Sequence, residues 1–354
     1  MSSDAAKHPS VAGRMIGRSF VSPWFDYLLI GGGLSFIMCA VIQFYPPIRR
    51  LSSEEYLPYL LLVFNSAHLA STTVRLYTIP GNRTSFPFLT MVLPILMLVI
   101  LTICIALPHY LGRSFLSIYL TWSPYHYAAQ AYGLACMYSY RSGCMLAPND
   151  KKLLWWVSMI PFIYIFISGG ELVGLQWLVP ARFFEGGISV VLDWVSKGLA
   201  MLCYAAPLAL FYKIYRSPSG PMPVIGLLML IANASWFILL ELINAVVWAT
   251  VFHSVQYLAI VLIFHVKDQQ RNPSNHHGAV YHVVWFYGLS VVLAYGLTQL
   301  IPRAFVYAGF GGVEATMSAF AAINIHHFIV DAYIWRLKKG DANREIVEES
   351  LATV

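Results

Sequence analysis

The chain has 354 residues, of which 58% are hydrophobic and 11% charged, with a formal net charge of +6. An ordinary soluble domain carries about 25% charged residues, and so few charges cannot cover the surface of a water-soluble protein this long. That excludes a soluble globular protein; and because the basic residues fall mostly between apolar blocks, it also excludes nucleic acid as the partner of the positive charge.

The apolar blocks are about twenty residues long, enough to carry a helix across a hydrocarbon layer of roughly 30 Å. The expected fold is all-α, a polytopic membrane helical bundle of about ten transmembrane helices. Residues 1–23 read as a polar, basic cytoplasmic tail with no cleavable signal peptide. Residues 24–338 form a single transmembrane domain, and 339–354 a second cytoplasmic tail.

In chain order the spans are predicted at 24–46, 57–79, 87–108, 114–138, 152–174, 189–212, 222–240, 243–266, 279–301 and 312–337. The first begins "SPWFDYLL", where Asp26 suits an interfacial, N-cap-like place. Its "IGGGLS" run, Gly31 to Gly33, has no strand before it and no lysine after it, so it suits close helix packing rather than phosphate binding. The second span, "FNSAHLASTTVRLY", sets Asn65, His68, Thr72 and Arg75 on one stripe at i, i+3, i+7, i+10; Arg75 would snorkel to the interface, as would Arg336 and Lys338. In the fourth, "YLTWSPYHYAAQAYG", His126 and Gln130 are one turn apart, with Tyr119 and Gly133 along the same face. Pro124 predicts a kink just before the histidine.

No proline or polar run separates the seventh and eighth spans between Val224 and Val266. A continuous helix there would be about 65 Å long, so a turn is expected at "LELINA", near Glu241 and Asn244. The eighth span carries His253 with Gln256 and Tyr257 on the same side. The tenth, "AAINIHHFIVDAYIWRLKK", carries Asn324, His327 and Asp331 on one stripe, with His326 about 100° away. His109, His265, His276, His277 and His282 fall at span ends or in a loop and read as solvated or interfacial. The cysteines show no CxxC spacing and indicate neither a disulfide framework nor a thiolate zinc site.

Lysine and arginine placement orients the bundle. With Lys7, Arg14 and Arg18 inside, the inside connections hold Arg75, Arg83, Arg141, Lys151, Lys152, Lys213, Arg216, Lys267 and Arg271, and the C-terminal tail adds Arg336, Lys338, Lys339 and Arg344. The outside keeps Arg49, Arg50, Arg113, Arg182 and Arg303. Both termini are then cytoplasmic.

Ionisable groups at membrane depth mark function by default. All four histidine-bearing spans are even-numbered, so they run in one direction, and each histidine falls ten to fourteen residues into its span. His68, His126, His253 and His327 can therefore meet at one depth, with His326 as a further candidate. Neutral imidazole is the commonest protein ligand for iron, copper and zinc, and its second nitrogen needs an orienting partner. Asn65, Gln130, Gln256, Asn324 and Asp331 are within a turn of a histidine and could serve, with Asp331, Gln130 and Tyr257 as the groups for catalysis. The same histidines leave open haem b held by two of them, or a transporter or accessory subunit of a membrane complex using the polar stripes. The HxxxH and HxxHH boxes of di-iron desaturases are not reproduced by "HHFIVD" or "FHSVQY".

Isolated intramembrane histidines on separate spans resemble the core design of the β-carotene-cleaving membrane dioxygenases of the Brp/Blh type; no contiguous motif is shared, and the segments "SPYHYAAQAYG" and "INIHHFIVDAYIW" do not align with that family. The resemblance implies a bacterial cytoplasmic membrane and an iron(II) site with His68, His126, His253 and His327 as ligands. Asn65, Gln130, Gln256 and Asp331 would then be orienting partners. It further implies an oxidoreductase that uses dioxygen on a hydrophobic, membrane-borne substrate such as a carotenoid, terpenoid or fatty-acyl lipid.

Overall fold

The structure, a computed structural model, describes residues 15–45, 56–239, 242–337 and 342–349; the side chains of residues 57, 242–246 and 342 lie outside that description. Lys7, Arg14, Arg49, Arg50, Glu241, Lys338 and Lys339, and the side chain of Asn244, are therefore outside the described residues. What is described is helical, with no strand.

A helix occupies each segment in which the apolar pattern predicts a span. They are α1 (Pro23–Ile30), α2 (Gly33–Phe44), α3 (57–78), α4 (Phe88–Ala106), α5 (Arg113–Arg141), α6 (Pro148–Ser168), α7 (Gly187–Tyr215), α8 (Val224–Ile238), α9 (Leu242–Gln270), α10 (Ala279–Tyr307) and α11 (Gly312–Ile334). A short α12 (Ala342–Glu348) follows. Six are long and apolar enough to cross a membrane: α4, α6, α7, α10, α11 and Val247–Gln270 of α9. The pair α1 and α2, bent by 53°, makes a seventh if it counts as one span.

The expected count of about ten is thus reduced, for physical reasons. α3 and α5 are long, but histidine, threonine, serine and arginine lower their hydropathy. α8 is apolar but has only 15 residues. The break expected at "LELINA" is present, since α8 ends at Ile238 and α9 starts at Leu242. α5 runs unbroken through Pro124 for 29 residues.

The outer faces are apolar. α7 leaves Val190, Val191, Trp194, Met201 and Leu208 exposed, and α4 leaves Ile95, Leu98 and Val99 exposed. Apolar faces of this extent are stable against acyl chains rather than water, and with the apolar helices they mark a multi-pass membrane protein.

Side-chain pairings show that α3, α5, α9 and α11 run in the same direction. His68 and Arg75 of α3 meet His253 and Asp268 of α9 in that order. Tyr127 and Gln130 of α5 meet Thr250 and Gln256 of α9. Thr72 of α3 meets His327 and Asp331 of α11, and Arg75 reaches Asn343 beyond the end of α11.

Several polar residues sit deeper than the sequence implies. Arg75 does not snorkel: it is 2% exposed, 3.1 Å from Asp268, and lies over the Trp335 ring at 4.9 Å. Asp26 is fully buried rather than interfacial, accepting the Phe20 and Val21 amides and the Tyr138 hydroxyl. His265 and His282 are buried too, whereas His109, His276 and His277 are exposed as expected. The glycine run does pack closely. Gly32 has φ +87°, and a Cβ on it would lie 2.4 Å from that of Ala232.

Candidate metal centre

Four helices each contribute one imidazole. On α3, a π-helical turn, Leu61–Ser66, ends two residues before His68; such turns recur at functional sites because they shift the register of the following side chains. On α5, α9 and α11 the ligand candidates lie mid-helix, so packed backbone rather than loop holds them.

His68, His126, His253 and His327 meet at one place. Each offers a ring nitrogen, and the four nitrogens all lie within 4.8 Å of one another. The rings stand edge-on around a square, with centroids 4.7 Å apart for His68–His253, 5.0 Å for His253–His126, 4.8 Å for His126–His327 and 4.3 Å for His327–His68. Their exposures are 1%, 8%, 1% and 0% in the order His68, His126, His253, His327. His326 is only half-buried and stands outside this group. It is the next residue round the helix, so the backbone that aims His327 inward turns His326 away.

The ring nitrogens are oriented by hydroxyls. The Ser254 hydroxyl donates to the Thr250 carbonyl at 2.6 Å, leaving its oxygen to accept from His68 Nδ1 at 3.2 Å. His68 then presents Nε2 to the centre. Thr72 Oγ1 lies 2.7 Å from His327 Nδ1 and donates to Asp331 Oδ1 at 3.0 Å, so His327 likewise turns Nε2 inward. His327 Nε2 is 3.1 Å from His126 Nε2. Asp331 collects a second donor, the Tyr257 hydroxyl at 2.8 Å, which itself receives the Trp335 indole N–H at 3.0 Å. Its other oxygen, Oδ2, is 3.5 Å from His327 Nε2 and 3.9 Å from His126 Nε2.

The cluster fits a metal ion. His68 Nε2 and both nitrogens of His253 are buried without a hydrogen-bond partner. Each such orphan costs about 1–3 kcal/mol, which coordination would offset at His68 Nε2 and one His253 nitrogen. Opposite nitrogens around an ion at 2.1 Å bonds are about 4.2 Å apart, inside the 4.8 Å that encloses the four here, and an all-imidazole set suits iron, copper, nickel or zinc.

The other expected orienting groups do different work. Asn65 Oδ1 lies 3.5 Å from the Ser254 hydroxyl, whose proton goes to Thr250, and so stands one step removed from His68. Gln130 bonds the His253 carbonyl and Gln256 Oε1, and Gln256 bonds the Ile30 carbonyl, so this pair ties α5 and α9 to the end of α1 rather than gripping an imidazole. Asn324 donates to the Phe320 carbonyl of its own helix at 2.8 Å, and its predicted place at the site is corrected accordingly. Ser254, Tyr127 and Trp335 were missed. Ser254 and Tyr127 each adjoin a histidine in sequence, which is the only signal they give. The Tyr127 ring packs on His253 at 4.3 Å with its hydroxyl 2.9 Å from Thr250.

A cavity of about 850 Å³ opens beside the cluster, with α5 as its floor and α6 and α11 as its sides. His126, Gln130, Tyr257 and Asp331 form its deep wall, among Trp122, Tyr125, Trp155 and Phe328. Its volume falls within the range of sites that hold one small-molecule ligand.

No protein-family model, curated protein or solved structure matches the chain.

Proposed function

We propose that this protein is an integral membrane metalloenzyme, a non-haem iron oxygenase acting on a lipid-soluble substrate. The observation that carries the reading is a four-imidazole cluster buried against a largely apolar cavity, with His126 belonging to both. The proposal extends to chemistry like that of the β-carotene-cleaving dioxygenases of the Brp/Blh type, to a bacterial cytoplasmic membrane, and to ten crossings with both ends cytoplasmic. Crossings by α3, α5 and α8 are favoured by their packing among the apolar helices.

Iron(II) held by His68, His126, His253 and His327 would supply the redox chemistry needed to use dioxygen on an apolar substrate. The chain's own residues do the rest. The aromatic walls bind and align the substrate and exclude water. Thr72 and Ser254 hold the tautomers of His327 and His68. Asp331, on the cavity wall and hydrogen-bonded to Tyr257 and Thr72, is placed to hold a proton at Oδ2. A bare ion is favoured over haem b because the four rings crowd around one point, leaving no room for a macrocycle between any two of them.

The test is metal analysis of the purified protein and of four variants, His68→Ala, His126→Ala, His253→Ala and His327→Ala. About one iron per chain is expected, reduced at least tenfold in each variant and retained in His326→Ala. A strong haem Soret band, or full metal content in the four variants, would sink the reading. Oxygen uptake that depends on added membrane lipid, and disappears with the iron, is the accompanying activity measurement.

A further inference from the structure

The cavity is not apolar throughout. It follows α5 from Trp122 to Tyr140, about 27 Å at the helical rise. Its two ends differ. Around His126 the walls are aromatic, with the Phe328 ring stacked on His126 at 4.5 Å. At the far end, where α5 finishes, α6 begins and α11 has just ended, the lining includes Lys151 and Arg336.

A basic residue at a helix end often reflects membrane orientation alone. Two features set these apart. Both are on the wall of the same cavity, and neither is ion-paired to a described carboxylate. The Lys151 ammonium is 5.8 Å from the Tyr140 ring centre and the Arg336 guanidinium 4.5 Å from that of Tyr333. The nearby acids are already engaged: Asp150 by Lys213 and Glu348 by Arg344. Asp331, the carboxylate on the wall, is bonded to Thr72 and Tyr257 at the deep end.

We propose that the cavity takes a single-chain amphiphile with an anionic head, a carboxylate or a phosphate, held at Lys151 and Arg336 while its tail lies along α5 to His126. This rests on the oxygenase reading above and narrows its substrate class from any lipid-soluble molecule to an acidic one. Charge complementarity supplies the orientation. A long slot with cations at one end admits such a molecule one way round, and so fixes which part of the tail reaches the histidines. Gly133 keeps the slot open midway: it lines the cavity, and a Cβ there would meet nothing within 4 Å.

The test uses the purified full chain loaded with iron in neutral detergent. The probe is a fluorescent conjugated fatty acid, compared with its methyl ester and read by energy transfer from the protein's tryptophans. The acid is expected to bind about tenfold tighter than the ester. The double variant Lys151→Gln/Arg336→Gln should bring the acid down to the ester's affinity with iron content unchanged. Gly133→Leu should weaken both probes at least tenfold, again with iron retained. Competition by a long-chain carboxylate or by an alkyl phosphate then identifies the head group, whereas competition no better than that of the matching alcohol overturns the proposal. Equal binding of acid and ester by the unmodified protein overturns it too, without reliance on any variant. An acid preference in a protein that holds no iron would remove the oxygenase reading and leave this site standing; iron without acid preference would do the reverse.

Discussion

The hydroxyls of Thr72 and Ser254 decide which nitrogen two of the imidazoles offer. An unpaired Nδ1 would let His68 and His327 rotate or change tautomer, and the ion would lose two aligned donors. Thr72→Val and Ser254→Ala are therefore expected to weaken iron binding about 10–100-fold each, measured by competition with a calibrated chelator. Thr102→Val, whose hydroxyl bonds only to its own helix on an exposed face, should leave affinity unchanged. At this scale the sequence was partly legible. The stripes on α3 and α11 correctly placed His68 with Thr72, and His327 with Asp331, because helical period alone puts i, i+3 and i+7 on one face. It could not say where each amide would bond. Asn324 satisfies its own helix and Gln130 finds Gln256, outcomes set by which backbone carbonyls packing leaves within reach.

Helices α3 and α5 fall outside the six helices apolar enough to cross a membrane, although they carry two of the four histidines. Their inward faces carry the site, so the residues that make these helices useful are those that make them look less like membrane segments. The bend between α1 and α2 is a different device. Gly32, in left-handed backbone and against Ala232, turns the chain so that the Ile30 carbonyl can accept from Gln256. A side chain here meets both backbone strain, about 1–2 kcal/mol, and overpacking, about 1–3 kcal/mol. Gly32→Val should lower stability by about 2 kcal/mol or more, read from thermal unfolding in detergent. Gly198→Ala, inside α7 with open space around it, should instead hold or raise stability by up to about 1 kcal/mol. "IGGGLS" announced close packing; the bend was not visible, because only the neighbouring helix makes φ +87° necessary.

For the whole molecule, the cluster is a cross-link among four helices that otherwise meet through side-chain packing and scattered hydrogen bonds. An ion that binds the folded chain alone adds about 2.7 kcal/mol at a hundredfold excess over its dissociation constant. Chelation should accordingly lower the unfolding temperature by about 5 °C or more, while a variant with all four histidines replaced by alanine should not respond to chelator. Equal melting with and without the ion would show that the centre is not held by these helices together.

The four imidazoles come from distant parts of the chain: Thr72, one turn beyond His68, and its partner His327 are 255 positions apart. No intermediate lacking α11 possesses the full donor set, however much of the bundle has already inserted. Under the proposed function, capture of an ion would act as a checkpoint on biosynthesis. The proposed iron would then be withheld from half-built chains, whose gaps would expose surrounding lipid to uncontrolled oxidation.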